Sequence, residues 1–404
     1  MRPPAEVLFG NGSRAALPRV LADRGTRVFV CSDPVIAETD HFARFLDAAR
    51  ERGLHVTAYS DVQPELPLAG VARATDAARR CEPDVVVGYG GGSTVDLAKL
   101  LAITLVTDDP LSSFYGENLV PAGVLPVVAV PTTAGTGSEA TPVAVVSDPS
   151  RALKVGISSP RLVPVAAVVD PELTHTCPAT VTAFSGIDAL THAIESASAR
   201  RQDVDLTGEL PVFVGANALS SVLARQAAAA IAPNLAVAVR EPSNGAARAN
   251  LAYGSLLAGM AFGSGGTHLS HALQYPIGDV TRTPHGLGVG LLLPYVMESC
   301  LPSSTPVLAD LAKVMGACDA GADDDVAAVS GIRAVVELRA AIGVPHTLAD
   351  IGVARSDLGR IGELAAGVGR LLNNAPAADP RALIEPVPSC AWSGRSDTFA
   401  HART

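Results

Sequence analysis

The stretch "HALQYPIGDVTRTPHG" (271–286) sets His271 and His285 on either side of a Tyr-Pro pair, and His268 lies just before it. Three of the chain's nine histidines therefore fall between positions 268 and 285. Upstream, "GIDALTHAIES" spaces Asp188 and His192 at i, i+4, which puts a carboxylate and an imidazole on one helix face, one turn apart. Their neighbours are apolar, so a solvated helix face does not explain them. One carboxylate and three imidazoles form a donor set suited to Fe(II), Zn(II) or a similar divalent ion. With an open coordination position, its chemistry is Lewis-acid polarisation of an oxygen. The plainer account is an Asp188–His192 pair satisfying each other, with the later histidines unrelated to it. Pro276 disfavours helix at Tyr275 and is expected to end the segment that carries His271. His285, after Pro284, then stands in a loop or at the start of the next helix.

A second chemistry belongs to "GYGGGSTVDLAK" (88–99), which follows a Val-rich strand and opens a helix. Glycines there admit a ligand close to the backbone, and the helix N-terminus offers N–H groups to a phosphate. A tight strand-to-helix turn needs glycine anyway, but this run exceeds that need. It matches neither GxGxxG nor a P-loop. "PTTAGTGSEAT" (131–141) follows another strand and is dense in hydroxyls, as a diphosphate-binding or merely polar loop would be. Asp33 ends the strand "VFVCSD", where a carboxylate can accept from a ribose hydroxyl and repel a 2′-phosphate. It is otherwise an ordinary turn aspartate.

The elements that must position these residues change character along the chain. Up to about residue 180, short Val-rich runs ("RVFVCSD", "HVTAYSDV", "DVVVGYGGGS", "PVVAVPTT", "AAVVDPEL") alternate with helical patterns. Strands apolar on both faces and separated by helices indicate a parallel sheet covered on both sides. Beyond Pro178 the pattern is nearly all helical and rich in Ala and Leu. The expected organisation is an α/β nucleotide-binding domain over 1–180, an all-α domain over 181–388, and a loose tail over 389–404.

The totals set bounds. The 404 residues are 48% hydrophobic, with a net charge of -10 and no Lys/Arg cluster, which disfavours a nucleic-acid partner. Cys31, Cys81, Cys177, Cys300, Cys318 and Cys390 show no CxxC or regular spacing and fit a reducing compartment. The N-terminal stretch has no charged region followed by an apolar run, and apolar stretches such as "VLPVVAVP" are too short to cross a bilayer. No membrane partner and a cytoplasmic location are expected.

Taken in order, a strand-ending Asp33, GGGSxxDxxK, PTTxGTGSE, DPEL, GxDALTHAxE and a HxxxxxxG…PHG helix-loop occur in succession. This succession closely resembles the iron-containing (group III) alcohol dehydrogenase family over nearly the whole chain. The resemblance implies a Rossmann-like nucleotide-binding domain, a helical metal-binding domain and an active site in the cleft between them. It places one divalent metal, Fe(II) before Zn(II), on Asp188, His192, His271 and His285. The pyrophosphate turn falls on Gly90, Gly91, Gly92 and Ser93, with Asp96 in the same motif. Thr132, Thr133 and Thr136 match the cofactor-contacting loop, Lys154 a basic residue near the cofactor, and Asp33 the position where an acid goes with NAD rather than NADP.

Phe262 is expected to line the substrate pocket near the nicotinamide, or else to be a core phenylalanine. Many members carry a proton-relaying histidine four residues after the third ligand. Here that residue is Tyr275, and His268 sits one turn before His271, as relay or as orienter of a ligand. "HxxHxxxYPI" resembles the branch of hydroxyacid–oxoacid transhydrogenases and aldehyde reductases acting on small acidic substrates, such as a semialdehyde or phosphonoacetaldehyde. The activity implied is NAD(P)-linked interconversion of a small alcohol or hydroxy acid and its carbonyl form, by a homodimer. The alternatives are a dehydroquinate-synthase-like lyase and a non-catalytic binding protein on the same fold.

Overall fold

A computed structural model describes residues 1–205 and 207–399, which divide into two compact units. One unit comprises Arg2–Cys177 with Gly208–Val212; the other comprises Pro178–Thr207 and the chain from Phe213 onward.

The first unit contains strands β1 (Glu6–Phe9), β2 (Arg27–Cys31), β3 (His55–Tyr59), β4 (Val85–Gly90), β5 (Gly116–Glu117), β6 (Val127–Pro131), β7 (Val143–Val146), β8 (Val155–Ser158) and β9 (Ala166–Val169). Six of them form a parallel sheet in the order β1-β9-β6-β4-β2-β3. Helices α1 (Leu17–Ala22), α2 (Pro34–Ala37), α3 (Asp40–Glu51), α4 (Leu68–Arg79) and α5 (Gly92–Thr104) connect them. Alternation within β2 serves both faces. Val28 and Val30 pack with Leu17, Leu21, Phe42 and Phe45 on one side, while Phe29 and Cys31 pack with Ala74, Leu97 and Leu101 on the other. The chain passes from β2 to β3 on one side and then to β4 on the other. That reversal is a topological switch point, where ligands of open α/β sheets bind at the carboxyl ends of the strands. Asp33 follows β2 and Gly91 follows β4, so the fold brings both to this point.

The strands β5, β8 and β7 form a second, small sheet, and β1 adds an edge strand to the main one. Sequence periodicity did not indicate either, because these strands are short and only partly buried.

The second unit is helical: α6 (Ala179–Ser198), α7 (Ala218–Arg240), α8 (Gly245–Gly265), α9 (Leu269–Thr281), α10 (His285–Val314), α11 (Asp324–Ala341), α12 (Asp357–Ala366), α13 (Gly369–Asn373) and α14 (Pro386–Ser393). Helix α7 is long and apolar enough to cross a membrane by length and composition. About a third of that stretch is buried, on the face that packs on α6 and α8 through Ala224, Ala227, Ala228, Ile231 and Leu235. A capping box at Asn217 and Ser220 starts it.

Two expectations need correction. Pro276 does not end the His271 segment, since α9 continues through it to Thr281. Burial of Leu273, Pro276 and Ile277 against the neighbouring helices outweighs the one backbone hydrogen bond a proline removes. The bend between His271 and His285 lies instead at Arg282, in the left-handed region at φ 56°, and at Thr283 and Pro284. Nor is the chain after 388 loose. It completes α14, Trp392 Nε1 donates to the Val353 carbonyl at 2.8 Å, and Phe399 is buried against Tyr295. Residues 400–404 of that expected tail lie outside the described residues.

Candidate active site

Helix α6 carries Asp188, His192 and Glu195 at i, i+4 and i+7, one stripe down a single face, and all three are buried. His271 comes from the first turn of α9 and His285 is the first residue of α10. Asp188 Oδ1 lies 3.6 Å from His192 Nε2, 3.6 Å from His271 Nε2 and 3.9 Å from His285 Nε2. The donor atoms of Asp188, His271 and His285 all lie within 4.8 Å of one another. The rings of His192 and His271 stack at 4.8 Å, and those of His271 and His285 stand 5.4 Å apart. The structure therefore gathers Asp188, His271 and His285 into one candidate cluster, with the His192 ring beside Asp188 and stacked on His271.

The donor set fits a divalent ion. Asp188 Oδ1 and His271 Nε2 are buried without a hydrogen-bond partner, a condition that costs about 1–3 kcal/mol per group unless something satisfies it. Donors each about 2.0–2.2 Å from a shared centre stand roughly 3.4 Å apart, and the distances from Asp188 Oδ1 to the three imidazoles come near that, while the histidine nitrogens stand wider from one another. Burial alone would raise the Asp188 carboxyl, but the surrounding imidazoles hold it down at about 2. His285, with its side chain 31% exposed, forms the open side.

Glu195 is the functional residue that sequence reasoning passed over. Its carboxylate accepts from His271 Nδ1 at 2.7 Å and from the backbone N–H groups of His268 at 2.8 Å and Ser270 at 2.6 Å. A carboxylate can only accept, so His271 carries its proton on Nδ1 and turns Nε2 toward Asp188. This is the carboxylate–histidine pairing that orients metal ligands. Burial pushes the His271 imidazole down, but Glu195 and Asp188 outweigh it and raise it to about 9.

His268 is the residue that precedes α9 rather than a residue within it. Ser198 Oγ donates to the Ile194 carbonyl, so it accepts from His268 Nε2 at 3.0 Å, while His268 Nδ1 stands 3.3 Å from Glu195. Tyr275 lies one turn beyond His271, its ring 6.1 Å from that of His285. Phe262 stacks on His192 at 4.2 Å.

In the α/β unit, Gly91 is the N-cap of α5, and the first N–H groups of that helix have no acceptors within it. A Cβ on Gly92 would lie 2.6 Å from Thr136 Cγ2, and one on Gly91 would lie 3.6 Å from Thr133 Cγ2. The hydroxyl loop thus rests directly on the Gly90–Ser93 turn, with Thr132 N–H donating to the Gly90 carbonyl at 3.0 Å. Asp33 caps α2, accepting from the Ile36 N–H at 2.9 Å. Lys154 ion-pairs with Glu65. Asp96 departs from the expectation of a cofactor contact. It points into the protein, where Oδ1 accepts from Ser138 Oγ at 2.6 Å and Oδ2 from the Val145 N–H at 2.9 Å.

Comparison with known proteins assigns a family to both parts of the chain. Residues 4–171 match the family model described as iron-containing alcohol dehydrogenase, and residues 182–385 match that of the Fe-containing alcohol dehydrogenase family, C-terminal. The chain is 34% identical over 390 residues to a long-chain-alcohol dehydrogenase 1 of Geobacillus thermodenitrificans (strain NG80-2), covering 95% of each chain. A crystal structure of a 1,3-propanediol oxidoreductase superposes with a TM-score of 0.89 at 31% identity, covering 96% of this chain and 98% of that one. A sulfoacetaldehyde reductase from Bifidobacterium kashiwanohense, solved in complex with NAD+, superposes with a TM-score of 0.83 at 26% identity, covering 97% and 98%. The chain belongs to the iron-containing alcohol dehydrogenase family and is an oxidoreductase of alcohols and aldehydes.

Proposed function

We propose that the protein is an NAD(H)-linked, metal-dependent reductase of small aldehydes, acidic ones among them, running in reverse as an alcohol or hydroxy-acid dehydrogenase. The observation that carries it is the convergence of three imidazole nitrogens on Asp188 Oδ1, with Asp188 Oδ1 and His271 Nε2 both buried without hydrogen-bond partners. Asp188, His192, His271 and His285 would hold the cation. The chemistry supplied by such a cation and a nicotinamide is polarisation of a carbonyl oxygen and delivery of hydride to its carbon. Glu195 fixes the His271 tautomer, and Phe262 covers the His192 ring and limits water around it. His268, its ring held on Ser198 and its backbone N–H bonded to Glu195, serves to orient Glu195 rather than to relay a proton. Tyr275, beside His285 on the open side, is the group we assign to hold the proton that reduction consumes.

The glycine turn and its threonine loop would receive the cofactor's diphosphate, with Asp33 at the adjacent strand end favouring NAD over NADP. NADH-linked reduction by the iron-loaded protein should be assayed against small aldehydes with and without a carboxylate, sulfonate or phosphonate group. Turnover with net NADH consumption, lost on chelation, is expected. No turnover by the fully metal-loaded protein across that panel would sink the proposal.

A further inference from the structure

Lys99 is wholly buried on α5, yet the chemistry proposed above gives it no task. Its Nζ donates to Ser138 Oγ at 2.9 Å, to the Thr141 carbonyl at 3.0 Å and hydroxyl at 3.2 Å, and to the Val143 carbonyl at 2.7 Å. One turn earlier, Asp96 accepts from Ser138 Oγ and from the Val145 N–H. Ser138 therefore accepts from the lysine and donates to the aspartate, which closes a buried Lys99–Ser138–Asp96 chain. Burial pushes the Lys99 ammonium down to about 8 against the pull of Asp96 and Glu139.

The reason for this chain is the position of β7. In the order β5-β8-β7 it pairs only with β8, so its outer edge has no strand partner. Buried backbone groups must nevertheless be satisfied. The Val143 carbonyl and the Val145 N–H find their partners in Lys99 and Asp96, so the helix takes the place of a missing strand. The other end of the same segment is anchored too, because β6 pairs with β4 and Thr132 binds the Gly90 carbonyl. Between the two anchors, Thr133 and Thr136 rest on Gly91 and Gly92.

We infer that Lys99, acting with Asp96 and Ser138, is a positioning residue that clamps the 132–141 segment to the helix begun by the glycine turn, and so fixes both walls of the diphosphate cradle as one body. The inference rests on the cofactor reading proposed above. A cradle held within about half an ångström binds far better than one left to move.

The test uses the full-length, metal-loaded protein, with NADH affinity measured by fluorescence titration alongside KM, kcat and metal content. Lys99→Met is expected to keep its metal and to weaken NADH binding by about tenfold or more, with the turnover loss lying mainly in KM for the cofactor. Ser138→Ala, which removes only the central hydroxyl, should weaken binding by about threefold. The pair Asp96→Leu with Lys99→Met should bind NADH more tightly than Lys99→Met alone, because the Asp96 carboxylate is then no longer buried without its cation and Glu139 alone remains. If Lys99→Met fails to fold, Ser138→Ala and the double variant report the same quantity. Wild-type NADH affinity in the folded variants, or a loss confined to kcat, would overturn this inference alone. A wild-type protein that binds neither NADH nor NADPH would overturn the cofactor reading and this inference with it.

Discussion

Asp188 is the residue around which the candidate metal site is arranged, since one of its oxygens stands 3.6 to 3.9 Å from three imidazole nitrogens. Removing any donor leaves the others too few for a tightly held ion. His285→Ala is therefore expected to lose its metal and to lower kcat by about a thousandfold or more, with far-UV circular dichroism unchanged because His285 is the most exposed of the four. Full metal content and activity in that variant would refute the assignment. Glu195→Gln keeps an acceptor near His271 but removes the charge that fixes its tautomer. Metal affinity, measured by competition with a chelator, should fall by about 10–100-fold. Of the four candidate ligands, Asp188 and His192 were legible from helical spacing, and His271 and His285 joined them through the family succession. Glu195 was not, because a glutamate seven positions beyond an aspartate also fits an ordinary solvated stripe. Only its place among the apolar neighbours of "GIDALTHAIES" hinted at burial.

At the scale of elements, the site depends on how closely α10 approaches α6. A Cβ on Gly286 would lie 2.1 Å from the Phe184 carbonyl and 3.3 Å from Asp188 Cβ, so the helix that presents His285 must carry glycine there. Gly286→Ala should push α10 outward, costing about 1–3 kcal/mol of stability and at least about tenfold in metal affinity. Denaturant melts and a metal titration check the two together, and an unaffected variant would show that the contact is soft. In the α/β unit, Asp84 joins the starts of β2 and β4, accepting from the N–H groups of Arg27 at 2.9 Å and Thr26 at 3.0 Å and from the Arg27 guanidinium at 2.7 Å. The two backbone bonds, then the guanidinium, lower its carboxyl from 3.8 to about 2. A depressed folded pKa gives stability that is complete above the unfolded value and is lost as pH falls through the folded one. Asp84→Ala should thus cost about 1–2 kcal/mol at neutral pH, discounted for partial exposure. The difference from wild type in urea melts should shrink between about pH 4 and pH 2, and a gap that stays constant with pH would contradict the linkage. Helices and central strands were readable from periodicity. The passage of α9 through Pro276 was not, because local preference predicted a stop and tertiary burial overrode it.

At the scale of the whole molecule, the order of motifs carried more information than any single one. The glycine turn, the hydroxyl loop and the histidine pair are each ambiguous alone, and only their succession pointed to a family. What the succession left unread is the structure that no motif marks: the small β5-β8-β7 sheet, the β1 edge strand and the ordered stretch through α14 to Phe399. These rest on contacts distant in sequence, which periodicity does not register. The residues assigned to each candidate site lie within one unit. The metal donors and Glu195 all belong to the helical unit, and the glycine turn, its threonines and the Lys99–Ser138–Asp96 chain all belong to the α/β unit. Removing the metal should therefore act on one unit's stability and leave the other's binding surface in place. An ion at a free concentration a thousand times its dissociation constant stabilises the state that binds it by about 4 kcal/mol. Chelation should lower the thermal midpoint by several degrees and abolish turnover, while NADH affinity, followed by fluorescence, stays within about threefold of the loaded protein. If NADH affinity instead fell in step with the metal, the cofactor surface would depend on the ion, and the independence of the two sites inferred from their contacts would be wrong.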